Sequence, residues 1–184
     1  MVMHVLDNIH CSPGRGLATT YHVAVSSSEG YEIQEFLAME AFFVDHGRYE
    51  EWASLLARNV TYRSPAQLFS AAHANESRSD VLCDYDYDFL ISYAQKLGQA
   101  ATDVSRLRRC ISNVIVATGP AHREFTVGSY LLITGTHGTG SESIVFTAER
   151  HDVLQRCRNS FRIVRREVTF DLAAGRAARL ARLI

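Results

Sequence analysis

A few side chains in this 184-residue chain could move protons or hold a metal, and their types and spacing decide which. Asp45, His46, Tyr49, Tyr62, His122, His151 and Asp152 are the groups that general acid–base chemistry uses, because imidazole titrates near neutrality and a carboxylate can orient it. Spread along the chain, they could act together only in a pocket assembled by the fold. Each also has a plain structural reading: Asp45-His46-Gly47 looks like a helix end, and His122 opens a strand after a turn. Metal chemistry has weaker support. Cys11, Cys83, Cys110 and Cys157 show neither C-x-x-C nor C-x-H spacing, and His151-Asp152 is adjacent rather than one helical turn apart. The cysteines read as reduced thiols of a cytoplasmic protein. There is no G-x-S-x-G elbow for a nucleophile. Gly135-Thr-His-Gly-Thr-Gly140 lies between strands rather than opening a helix, so it reads as a hairpin turn and not as a phosphate cradle.

The elements that would position these groups follow from periodicity. Ile33, Phe36, Leu37, Met39, Ala41, Phe43 and Val44 give a broad apolar helical face over Tyr31–Asp45, with Glu29, Glu32 and Glu35 near its positive N-terminal end. Gly47 suits the left-handed cap that ends it. Tyr49–Ala57 predicts a short second helix burying Trp52, Leu55 and Leu56. Val60-Thr61-Tyr62 begins a strand that Pro65 limits, residues 66–84 read as a long loop, and a third helix runs over about 87–100. Strands follow: Cys110–Val116, then Arg123–Thr134 with Phe125, Val127, Leu131 and Ile133 on one face, then a third from Ile144 towards Leu154. In the fourth, Phe161 and Ile163 are apolar at odd positions, whereas Val164, Val168 and Phe170 are apolar at even ones. One extra residue near Arg165-Arg166 reconciles the halves and predicts a β-bulge. Helices followed by a run of antiparallel strands mean an α+β fold, a strongly bent sheet wrapped over three helices.

Composition agrees with one globular domain: 47% hydrophobic, 21% charged and net charge -1, which gives no pull towards nucleic acid or membrane. No apolar run is long enough to span a bilayer, and the N-terminus lacks a signal-peptide pattern. Residues 1–28 read as a tail and 29–184 as a single domain. The basic charge is almost all arginine, Lys96 being the one lysine. Arg162, Arg165 and Arg166 interrupt a strand expected to be half-buried. Guanidinium groups pair with carboxylates through two parallel hydrogen bonds, so these three are candidates for pairing with acids of a neighbouring subunit.

The block Phe36-Leu-Ala-Met-Glu-Ala-Phe-Phe-Val-Asp45, followed by Tyr49-Glu-Glu-Trp52 and Val60-Thr-Tyr62, resembles the opening of the small (beta) subunits of aromatic-ring-hydroxylating, Rieske-type dioxygenases. The resemblance continues in order through Ser64-Pro65, Asp84-Tyr-Asp-Tyr-Asp88, Arg108-Arg-Cys-Ile-Ser-Asn-Val114, Glu149-Arg-His-Asp-Val-Leu154 and Phe161-Arg-Ile-Val-Arg-Arg-Glu-Val168, covering about residues 31–172. The sequence departs from the family pattern at Arg109, where the family commonly has His, and at Phe161, where it has Trp.

The resemblance implies the cone-like cystatin or ketosteroid-isomerase type of fold. It also implies a non-catalytic beta subunit, with no catalytic, cofactor-binding or metal residues of its own, that supports assembly of iron-containing alpha subunits in an alpha3beta3 heterohexamer built on a trimer of this chain. The Rieske [2Fe-2S] cluster and the mononuclear non-haem iron would sit on the alpha subunit, fed by a reductase and often a ferredoxin. This chain lacks the C-x-H and C-x-x-H pairs that a Rieske cluster needs and a two-His, one-carboxylate set for iron. Two other readings stay open: a stand-alone cone-fold dehydratase, isomerase or cyclase with an acid–base pair such as Asp45 and His122, and a small-molecule binding domain.

Overall fold

In a computed structural model the described residues are 25–65, 81–99, 106–136 and 143–171. Cys11 and most of the expected tail lie outside them, as do residues 66–80 of the expected loop, the glycine-rich segment past Thr136 and the C-terminal residues after Asp171.

Helix α1 covers Ser27–Asp45. It begins earlier than its apolar stripe because Ser26 and Glu29 form a reciprocal capping box, the Ser26 hydroxyl accepting from the Glu29 N–H at 3.2 Å. It ends where Gly47 takes φ 67°. The short α2, Tyr49–Ser54, carries Trp52 and Ala53 inward. Strand β1 runs Leu56–Pro65, β2 Val81–Tyr85, α3 Tyr87–Gln99, β3 Arg106–Thr118, β4 Glu124–Thr136, β5 Ser143–Cys157 and β6 Ser160–Phe170. All of strand β2 but Tyr85 falls inside the stretch 66–84 read from sequence as loop.

The six strands form one sheet in the order β2-β1-β6-β5-β4-β3. Every pairing is antiparallel except β1 with β6. Helix α1 packs on β3 and β6, and α3 on β1. Alternation sorts each strand. Phe125, Val127, Leu131 and Ile133 of β4 face the helices and are buried, as are Phe146, Ala148 and Leu154 of β5. They meet Ile33, Phe36, Leu37, Val44, Trp52 and Leu90 in one core.

The expected bulge in β6 is present, one residue earlier. Leu154 pairs with Ile163 and Val153 with Arg165, which leaves Val164 as the extra residue. Burial then switches phase, from Phe161 and Ile163 to Arg166, Val168 and Phe170. A second bulge lies in β3, where Asn113 takes φ 51°, a left-handed conformation that asparagine tolerates better than most residues.

Candidate functional site

The β6 bulge turns Arg166 inward, and the helices supply what meets it. Glu40 lies on the α1 stripe one turn from Leu37 and Val44, so the same periodicity that buries the apolar residues carries a carboxylate into the core. Arg166 is 0 % exposed and Glu40 2 %. The Arg166 Nη1 donates to Glu40 Oε1 at 2.5 Å, and its Nη2 to Glu40 Oε2 at 3.2 Å. Its Nε and Nη2 also donate to the two Asp152 oxygens at 2.8 and 2.9 Å. Arg150 Nη1 donates to Glu40 Oε2 at 3.1 Å, and Trp52 Nε1 to Glu40 Oε1 at 3.1 Å. Two carboxylates and two guanidinium groups therefore neutralise each other inside the sheet, with Tyr62 beneath Arg166, whose guanidinium carbon lies 5.9 Å from the ring centre.

The electrostatics fix the protonation states. Burial alone would raise the pKa of Glu40, but the Arg166 and Arg150 charges and the hydrogen bonds outweigh it and hold the carboxyl at about 2. For Arg166 burial works against the cation, yet Asp152 and Glu40 raise its pKa well above the ordinary value. Burial pushes the Tyr62 phenol far up. Near neutral pH the carboxylate stays ionised and the phenol neutral, and both Glu40 oxygens already accept hydrogen bonds. This arrangement stores charge; it does not relay protons.

The other sequence candidates are dispersed. Asp45, at the end of α1, accepts from the Arg109 backbone N–H at 2.9 Å and from its guanidinium, tying the helix to β3 with both side chains 7 % exposed. His46 Nδ1 lies 2.8 Å from the Phe42 carbonyl, and the two rings stack. These residues, with Gln34, Glu35 and Arg108, line an open cleft between α1 and β3. His122 sits exposed in the β3–β4 turn, roughly 30 Å of strand from Arg109. Asp45 and His122 thus do not form a pair. Tyr49 is half-buried against the core. His151 and Asp152 are neighbours in sequence but lie on opposite faces of β5: Asp152 joins the buried network, while His151 Nε2 meets Glu149 Oε1 at 3.1 Å on the outer face. Among the described residues no group of three or more His, Cys, Asp or Glu is gathered as metal ligands would be, so the described residues do not fit an iron centre.

The three arginines of β6 separate. Arg166 spends its charge on Glu40 and Asp152 of its own chain, whereas Arg162 and Arg165 are exposed on the outer face. Sequence reasoning missed Glu40 and Arg150. The signal for Glu40 was an acid spaced within the apolar stripe.

Comparison with known proteins agrees with this geometry. A family model described as "Ring hydroxylating beta subunit" matches residues 39–174. The chlorobenzene dioxygenase subunit beta of Cupriavidus sp. (strain PS12) is 28% identical over 152 residues, 77% of this chain and 81% of that protein. A chain of naphthalene 1,2-dioxygenase, solved with indole bound in the active site, superposes with a TM-score of 0.68 at 20% identity, covering 83% of each chain. A protein of Nostoc punctiforme with a cystatin-like fold superposes at 0.56 with 16% identity, covering 80% of this chain and 94% of that one. The cone-like cystatin type is thus the fold, and the family match spans most of the sequence: the chain belongs to the ring-hydroxylating dioxygenase beta subunits and is one component of an oxidoreductase complex.

Proposed function

We propose that this chain is the non-catalytic beta subunit of a multicomponent aromatic-ring-hydroxylating dioxygenase and acts by holding iron-containing alpha subunits in register. The observation that carries this reading is the interior of the fold. Where a cone-fold enzyme would need an accessible acid–base pair, Glu40, Arg150, Asp152 and Arg166 are at most 2 % exposed and neutralise one another. Such a core gives shape without transition-state contacts. The working assembly is an alpha3beta3 heterohexamer in the cytoplasm, with the beta subunits as a trimeric base. The Rieske [2Fe-2S] cluster and mononuclear iron belong to the alpha subunit, which receives electrons from a reductase or ferredoxin. Binding to the native alpha subunit stabilises it by mass action.

Arg162 and Arg165, exposed on β6, are proposed contacts to acids of a neighbouring subunit. The test is co-expression with a ring-hydroxylating dioxygenase alpha subunit from the same organism. An equimolar complex carrying iron–sulfur absorbance is expected, weakened by Arg162→Glu with Arg165→Glu. Elution of the chain alone under every condition, or stoichiometric iron on the isolated chain, refutes the proposal.

A further inference from the structure

Four buried polar atoms near the charge network find no hydrogen-bond partner among the protein groups: Arg150 Nε and Nη2, Ser129 Oγ and Tyr62 Oη. Their residues are 1 %, 3 % and 4 % exposed. They are not scattered. Ser129 and Arg150 are directly opposed in the β4–β5 register, which places their Cβ atoms about 5 Å apart on the inner face. Tyr62 opposes Arg166 in the β1–β6 register, and the charges of Arg166, Glu40 and Arg150 all act on its phenol. Buried groups left without partners cost a full desolvation penalty, and native interiors satisfy them with protein or with ordered water.

The chemistry of the open positions selects the guest. Both Glu40 oxygens and both Asp152 oxygens already accept from guanidinium N–H groups, so they offer a cation no free site. The unused positions are the Nε and Nη2 donors of the Arg150 guanidinium and two hydroxyls, which want an acceptor that can also donate. An anion would fit the donor, but the two carboxylates and two guanidinium groups already sum to zero, and an added charge would be buried uncompensated. We infer that ordered water, and not an ion, is bound inside the sheet as a structural ligand bridging Arg150, Ser129 and Tyr62. It completes the hydrogen bonding of the network, as buried water does with two to four polar partners.

The sign of a mutational effect tests this. If these hydroxyls are bridged, Ser129→Ala and Tyr62→Phe each remove a satisfied group, and each lowers the melting temperature of the full chain by about 2–4 °C. If they are orphaned, each variant removes a penalty and the melting temperature holds or rises, which overturns the inference. A high-resolution crystal structure provides the second measurement. A solvent peak within hydrogen-bond distance of Arg150 Nη2 and Ser129 Oγ is expected, unchanged by a bromide soak. A peak that gains bromide anomalous signal, or no peak at all, refutes the assignment whatever the melting shows.

Discussion

Replacing Glu40 by Gln preserves side-chain shape and removes one charge, so it measures what the buried network contributes. In the native structure four N–H groups converge on this carboxylate: Trp52 Nε1, Arg150 Nη1 and both Nη atoms of Arg166. Glutamine offers one oxygen and one NH₂, so whichever way the amide turns, N–H faces N–H. The interior also gains an uncompensated positive charge, since Asp152 alone then faces Arg150 and Arg166. Removing one partner of a buried ion pair costs about 3–5 kcal/mol. Against a total stability of about 5–15 kcal/mol, that is a fifth or more of the margin. Equilibrium urea unfolding of the full chain, followed by circular dichroism, should show a lower midpoint at an unchanged m-value. Combining Glu40→Gln with Arg150→Gln restores neutrality, so the double variant should lose clearly less than the sum of the two single losses. A loss below about 1 kcal/mol for Glu40→Gln would put the pair in the range of exposed salt bridges and refute the argument that burial decides its value.

Acid provides a second route to the same group. Glu40 titrates at about 2 folded against the ordinary 4.5, so its contribution is fully present above 4.5 and is lost as pH falls towards 2. The shift corresponds to about 3 kcal/mol. The stability gap between the native chain and Glu40→Gln, measured by urea titration across this window, should therefore close as pH falls; a constant gap contradicts the assigned shift. Asp45→Asn should cost about 2–3 kcal/mol by weakening the clip between α1 and Arg109, read as a lower urea midpoint with earlier hydrogen exchange at the end of α1. Gly119→Ala should cost about 2 kcal/mol or more in the same unfolding assay, because a Cβ there would lie 2.6 Å from the Glu124 carbonyl carbon and 2.8 Å from the Phe125 nitrogen.

Most of the architecture was readable as period. The β4 alternation of Phe125, Val127, Leu131 and Ile133 places all four inward, and the phase break in β6 announced its bulge. The start of α1 was readable only through Ser26 and Glu29, because a capping signal lies ahead of the apolar stripe it serves. Strand β2 escaped notice. It is five residues long with Asp84 inside it, and its ladder partner β1 supplies the order that its own sequence does not. The charge network was half legible. Once the bulge sets the phase, Arg166 must point the same way as Val168 and Phe170, and Glu40 falls within the Leu37–Val44 face. What sequence could not supply was the pairing itself, because Glu40, Arg150, Asp152 and Arg166 come from three elements. The absence of an Asp45–His122 pair likewise follows from the length of β3, which carries the turn far from the helix end.

The single parallel ladder has a temporal consequence. Strand β1 takes its neighbour from the last strand of the sheet: the Ser64 hydroxyl donates to the Val168 carbonyl at 2.8 Å across 104 residues, and Glu40 waits for Arg166 across 126. At about 5–20 residues per second, a ribosome needs roughly ten seconds between making β1 and making β6. Until β5 brings Arg150 and β6 brings Arg166, the emerging polypeptide holds an ionised glutamate on its first helix with no guanidinium to meet it, and a strand edge with no mate. Native closure therefore follows release of β6 from the ribosome, and a message truncated before Ser160 yields a product without the strand that closes on β1.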